Sequence, residues 1–118
     1  YYIEITHRNS LSTWSTEGGM SFTAHTIMHY DFTTSRDKAF GNNLTQVDSE
    51  PVLYGIFGGD VNQEGVVDLT DLIIIHNDES NFVTGYVNTD INGDYITDLN
   101  DIILTYNNSA NFAEKIIP

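Results

Sequence analysis

The sequence predicts an α+β protein: a small antiparallel, β-sandwich-like unit over residues 1–58, then two loop–helix repeats over residues 59–118. Three observations carry this expectation. Period-two alternation and β-branched or aromatic residues mark the first half. The composition changes at Gly58-Gly59, and the chain after Gly59 repeats itself at an offset of thirty residues.

In the first half, Tyr1, Ile3 and Ile5 alternate with Tyr2, Glu4 and Thr6, as in a strand with one buried face. Gly18-Gly19 reads as a turn. Residues 26–32 (TIMHYDF) have the composition of a strand. Residues 35–40 read as a short helical turn ended by Gly41-Asn42-Asn43, and residues 52–57 after Pro51 as another strand. The sum is a thin unit of about four strands, whose bare edges invite pairing.

In the second half, Asp60 maps onto Asp90, Asn62 onto Asn92, Asp68 onto Asp98 and Asp71 onto Asp101. The match runs on through Ile73 and Ile103, Asn77 and Asn107, and Phe82 and Phe112. The first loop, DVNQEGVVDLTD, places side-chain oxygens at loop positions 1, 3, 5, 9 and 12: Asp60, Asn62, Glu64, Asp68 and Asp71. Calcium is a hard cation that takes six to eight oxygens, and twelve-residue loops of the EF-hand kind supply them from these positions plus the backbone carbonyl of position 7. That carbonyl belongs to Val66. Gly65 at position 6 permits the sharp turn. The second loop, DINGDYITDLND, offers Asp90, Asn92, Asp94, the Ile96 carbonyl, Asp98 and Asp101. It has Tyr95 at position 6, where a left-handed backbone costs strain in a bulky residue. Glu64 in loop 1 is one methylene longer than aspartate and must fold back to reach an ion. Two calcium ions are thus the expected cofactors.

A helix over residues 69–78 should follow the first loop. Leu69, Leu72, Ile73 and His76 share one face, as do Leu99, Ile102, Ile103 and Tyr106 in the second repeat. These stripes are the expected shared core of the two repeats. Ile74, Ile75 and Leu104 fall off the stripe; they either pack on the β-unit, the reading favoured by their size, or form a partner surface. Phe82 and Phe112 are expected to pin each helix onto its own loop.

No helix signal precedes either loop, so each unit is a loop followed by a helix, an F-hand. The pattern G-D-V-N-x-x-G-x-V-D-x-x-D-L over about residues 59–113 resembles the dockerin family. The resemblance implies a non-catalytic extracellular module that binds two calcium ions and attaches a secreted protein to a cohesin-like domain. At loop positions 10 and 11, where cohesin-binding dockerins often show a Ser-Thr-like pair, this chain has Leu69-Thr70 and Leu99-Asn100. The first half, with YYIEITHRNS, Trp14 and YGIFGGDVN, resembles the C-terminal ends of large secreted bacterial surface proteins.

Charge narrows the partners. The net charge is −13, and the two loops hold eight of the 17 acids. This excludes the usual basic nucleic-acid binder and disfavours an anionic membrane surface. Two bound divalent ions would bring the charge to −9. There is no cysteine, hence no disulfide or thiolate site, and no apolar run long enough to span a membrane. The chain begins at Tyr1 without a signal peptide, which reads as a processed protein or a piece of a longer one. His25 and His29 fall in a strand-like stretch at a spacing that makes no zinc pair. No nucleophile motif or phosphate loop is present, so no enzyme activity is expected within the chain. Asn43-Leu44-Thr45 and Asn107-Asn108-Ser109 match glycosylation sequons. Two rival readings are a subunit of a calcium-stabilised extracellular fibre, in which neighbouring copies complete each other's sheets, and the C-terminal tail of a secreted hydrolase.

Overall fold

The computed structural model describes residues 1–118. It is an α+β arrangement of four strands in two separate two-stranded antiparallel sheets, two 3₁₀ turns and two α-helices. Strands β1 (Glu4–His7) and β2 (Ser10–Trp14) form one sheet, and β3 (Thr45–Ser49) and β4 (Val52–Gly55) the other. Helix α1 spans Leu69–Ser80 and α2 spans Leu99–Ala110.

The chain divides into two compact units. The first comprises Tyr1–Ile5, Ser12–Ile56 and Ile116–Pro118; the second comprises Thr6–Leu11 and Phe57–Lys115. A single cut at residue 58 would separate segments that belong together: the turn of the first hairpin goes with the loop–helix repeats, and the last three residues go with the strands.

In the first unit, Ala39, Leu44, Thr13 and Ser15 are buried, and Ser15 bridges Ala39. Tyr30 ties the long connection to its surroundings, its hydroxyl accepting from the Thr16 amide and donating to the Lys38 carbonyl. The β3–β4 register pairs Gln46 with Tyr54 and Asp48 with Leu53, so Val47 is bulged out. The Asp48 carboxylate accepts from the Ser49 and Glu50 amides and holds the turn into the cis Glu50–Pro51 bond. The 3₁₀ turns, Arg36–Lys38 and Phe40–Asn42, lie where a helical turn was expected. Residues 26–32 are not a strand. Their side chains are largely exposed, Ile27 at 87 %, so no neighbouring strand satisfies the backbone and local composition is overridden. The β-sandwich-like layer expected of this half is instead a pair of hairpins linked by irregular chain.

In the second unit, each helix starts at an aspartate. Asp68 caps α1 and Asp98 caps α2, each accepting from the amide two residues on. Asp71 and Asp101 reach back to the cap amides and complete a capping box at both helices. Both helices end alike. The Phe82 amide bonds the Glu79 carbonyl and the Val83 amide bonds Asp78; Phe112 and Ala113 repeat this with Ser109 and Asn108. These are Schellman closures, with phenylalanine in the left-handed position that glycine usually fills.

The repeats close on each other by exchange. The segment after α1 pairs with loop 2, Thr97 donating to the Val83 carbonyl and Gly85 to Tyr95. The segment after α2 pairs with loop 1, Val67 donating to Ala113 and Lys115 to Gly65. Leu11, Val67 and Ala113 form the buried apolar cluster, with Phe57 against it.

The expected core stripe is only partly buried: Leu72 and Ile102 are half-buried, but the rest of the stripe is not. Leu69 and Leu99 are more than 60 % exposed, and Ile73, His76, Ile103 and Tyr106 are exposed as well. Buried instead are Asp71 with Ile75, and Asp101 with Thr105. The physical reason is the closing acid: once Asp71 must point into its loop, the residue one turn further on, Ile75, points in too. Phe82 and Phe112 pin nothing; they are 86 % and 87 % exposed, because the left-handed position turns their side chains outward.

Candidate metal centres

Each loop is organised around two buried aspartates that collect backbone amides. In loop 1, Asp60 Oδ1 accepts from the Glu64 amide (3.1 Å) and Oδ2 from Gly65 (3.0 Å). Asp71 Oδ1 accepts from Val61 (2.9 Å) and Asn62 (3.3 Å), and Oδ2 from Asp68 (3.0 Å). Loop 2 repeats this. Asp90 accepts from Asp94 (3.1 Å) and Tyr95 (2.9 Å), and Asp101 from Ile91 (2.7 Å), Asn92 (3.1 Å) and Asp98 (2.8 Å). The position-3 amides match as well: Asn62 Oδ1 accepts from Glu64 and Asn92 Oδ1 from Asp94.

Position 6 is left-handed in both loops, with φ 92° at Gly65 and 68° at Tyr95. Tyr95 therefore keeps the bend of its glycine counterpart, and its amide makes the equivalent bond to the first aspartate. A tyrosine there stores strain of about 1–2 kcal/mol. Position 4 is left-handed too, at Gln63 and Gly93.

Carboxylate oxygens converge in each loop. Those of Glu64, Asp68 and Asp71 lie within 4.8 Å of one another, as do those of Asp90, Asp94 and Asp101. Either group could hold a metal ion. Glu64, with its extra methylene, swings toward Asp68 and Asp71, so loop 1 converges at positions 5, 9 and 12. Loop 2 converges at positions 1, 5 and 12. The remaining side-chain candidates act within the same loops: Asp60 as the amide acceptor above, Asn62 and Asn92 at position 3, and Asp98 as helix cap. Val66 and Ile96 at position 7 sit opposite Glu114 and Thr84 in isolated bridges. The bridge hydrogen bonds are made by the flanking residues, so the Val66 and Ile96 carbonyls point to the other side of the strand.

Burial sets the electrostatics of loop 1. Desolvation pushes the Asp60 carboxyl above the ordinary 3.8, against the pull of the Gly65 and Glu64 amides, and the nearby Asp71 and Glu64 charges push the same way. Desolvation also raises Asp71, outweighing its three amide donors, with Asp68 adding to the rise. A divalent cation would reverse that balance by favouring the ionised forms.

The two loops differ behind these carboxylates. In loop 2 the Thr89 hydroxyl bonds Asp78 (2.6 Å) and Thr97 (3.0 Å). In loop 1 the corresponding residues are Gly59 and Val67, and Gly59 lies against Thr105, whose buried hydroxyl has no partner. A Cβ at Gly59 would come within 2.9 Å of Thr105.

Several residues of this centre escape a reading of the repeats alone. Asn108 donates to the Gly58 carbonyl (2.8 Å) and Gln63 to Asp60 (2.6 Å). Asn9, from the first hairpin, donates to the Asp90 carbonyl (2.9 Å). Asn9 lies far upstream of the repeat, which offers no local signal for it.

Comparison with family models, with curated proteins and with solved structures gave no match.

Proposed function

We propose that this chain is a non-catalytic extracellular module in which two F-hand loops bind calcium and present a surface for attachment to a protein partner. The observation that carries the reading is the equivalence of the two loops: the same carboxylates and amides make the same hydrogen bonds thirty residues apart. Each loop offers four carboxylates, one amide oxygen and one backbone carbonyl, an all-oxygen set suited to a large hard cation. The upward push of burial on the Asp60 and Asp71 carboxyls fits a site whose ionised form a cation would stabilise. Attachment is supported by the apolar groove along the two helices, lined by Leu69, Leu72, Ile73, His76, Ile102 and Tyr106. Exposed apolar surface of this kind usually marks a protein contact, here with a cohesin-like domain as the dockerin-like pattern suggests.

Calcium titration by calorimetry, with circular dichroism alongside, tests the proposal. Two equivalents bound with a gain of structure are expected. A chain that binds no calcium, or whose melting point is unmoved by a chelator, overturns it.

A further inference from the structure

The turn of the first hairpin is built into the metal-binding unit, and Asn9 is its centre. Asn9 is 1 % exposed, and its backbone carbonyl and both side-chain polar atoms are engaged. Its backbone carbonyl accepts from the Gly59 amide at 2.7 Å, immediately before the first ligand of loop 1. Its side-chain amide donates to the carbonyl of Asp90, the first ligand residue of loop 2, at 2.9 Å. Its Oδ1 lies 2.9 Å from His7 Nδ1.

The neighbours of Asn9 divide the same two tasks. On the loop 2 side, the Arg8 guanidinium lies 3.9 Å from the Tyr86 ring centroid and its Nε donates to the Val87 carbonyl at 3.4 Å. On the loop 1 side, Ser10 bridges Gly58, the Leu11 amide bonds the Phe57 carbonyl, and Leu11 packs on Val67. One turn therefore contacts the residues that lead into both loops.

We propose that Asn9 is a positioning residue that couples the two ion sites, so that filling one orders the first ligand of the other. This rests on the reading of the loops as calcium sites. The physical argument is short. An ion at loop 1 fixes Asp60 and hence Gly59, and Gly59 holds the Asn9 backbone. A fixed Asn9 holds the Asp90 carbonyl, which removes ordering cost from loop 2 before its ion arrives. Coupling of this kind is reciprocal.

Calcium titration of the full 118-residue chain is the test. The unmutated chain should bind two ions with positive cooperativity, the first raising affinity for the second about fivefold or more. Asp71→Asn should weaken loop 2, and Asp101→Asn should weaken loop 1, by the same factor. In an Asn9→Ala background those cross effects should vanish while two equivalents still bind. Asn9→Asp, which keeps the shape and the backbone carbonyl but deletes the amide donor to Asp90, should behave likewise. The Asn9 side-chain amide resonance in the unmutated chain gives a check that needs no variant to fold: it should shift with the first equivalent. Independent filling of the two sites, an unmoved Asn9 resonance, or coupling that survives both substitutions overturns the inference and leaves the calcium reading intact. No calcium binding at all removes both.

Discussion

Replacing Asp71 with asparagine separates what this residue does for the fold from what it would do for the proposed ion. Asp71 is fully buried and accepts three amides, two on Oδ1 and one on Oδ2. Asparagine can keep the oxygen that faces Val61 and Asn62. Its NH₂ then faces the Asp68 amide, and one buried donor loses its acceptor, at a cost of about 1–3 kcal/mol. The contribution of a negative charge in the first turn of α1 is lost as well, about 0.3–1 kcal/mol. Against this, the substitution removes a carboxylate that burial already disfavours in its ionised form. The two effects oppose each other, so the metal-free variant should be destabilised by no more than about 1–3 kcal/mol. The calcium-loaded protein should respond far more. A filled site stabilises the fold by about 2.7 kcal/mol when calcium exceeds its dissociation constant a hundredfold. Disabling loop 1 should therefore remove at least half of the calcium-induced rise in melting temperature. Thermal melts of wild type and Asp71→Asn, with calcium and with chelator, measure both quantities. A variant that gains as much on calcium addition as wild type would refute Asp71 as a ligand.

Other predictions follow from the same geometry. Thr105→Val replaces an unpartnered buried hydroxyl with a methyl of equal shape, and should raise stability by about 1 kcal/mol in a denaturant titration. Tyr95→Gly should relieve the left-handed strain of about 1–2 kcal/mol at the expense of about 0.5–1 kcal/mol in unfolded-chain entropy. It should tighten calcium binding at loop 2, read by calorimetry in an Asp71→Asn background. The pH response should change sign with calcium. Asp60 and Asp71 have folded-state values above the ordinary 3.8, so their contribution to metal-free stability is greatest below that value and is lost as pH rises through the raised ones. Metal-free melting temperatures should thus fall from pH 4 toward neutrality, whereas calcium-loaded ones should rise over the same window, because the ion requires ionised ligands.

The parts of this molecule that the sequence determines are those decided within a few residues. The twelve-residue loops bend where Gly65 and its counterpart Tyr95 stand, and the aspartates at positions 1 and 12 gather the amides that the spacing requires. The helix starts are local too, since Asp68 and Asp71, or Asp98 and Asp101, build each capping box within four residues. The buried helix face was not read from the sequence: the closing acid points inward and carries Ile75 and Thr105 in with it, against the apolar stripe. Periodicity reports which residues share a face but not which face meets the rest of the molecule. That direction is set by the loop. The tertiary structure alone decided the remainder. Residues 26–32 have strand composition but no partner to satisfy their backbone. The crossed pairing of each post-helix segment with the opposite loop depends on both repeats being present. The place of Asn9 beside Gly59 and Asp90 is a contact between positions some fifty and eighty residues apart. Contacts at that separation are selected by the shape of the folded chain, and no local pattern of residue types encodes them.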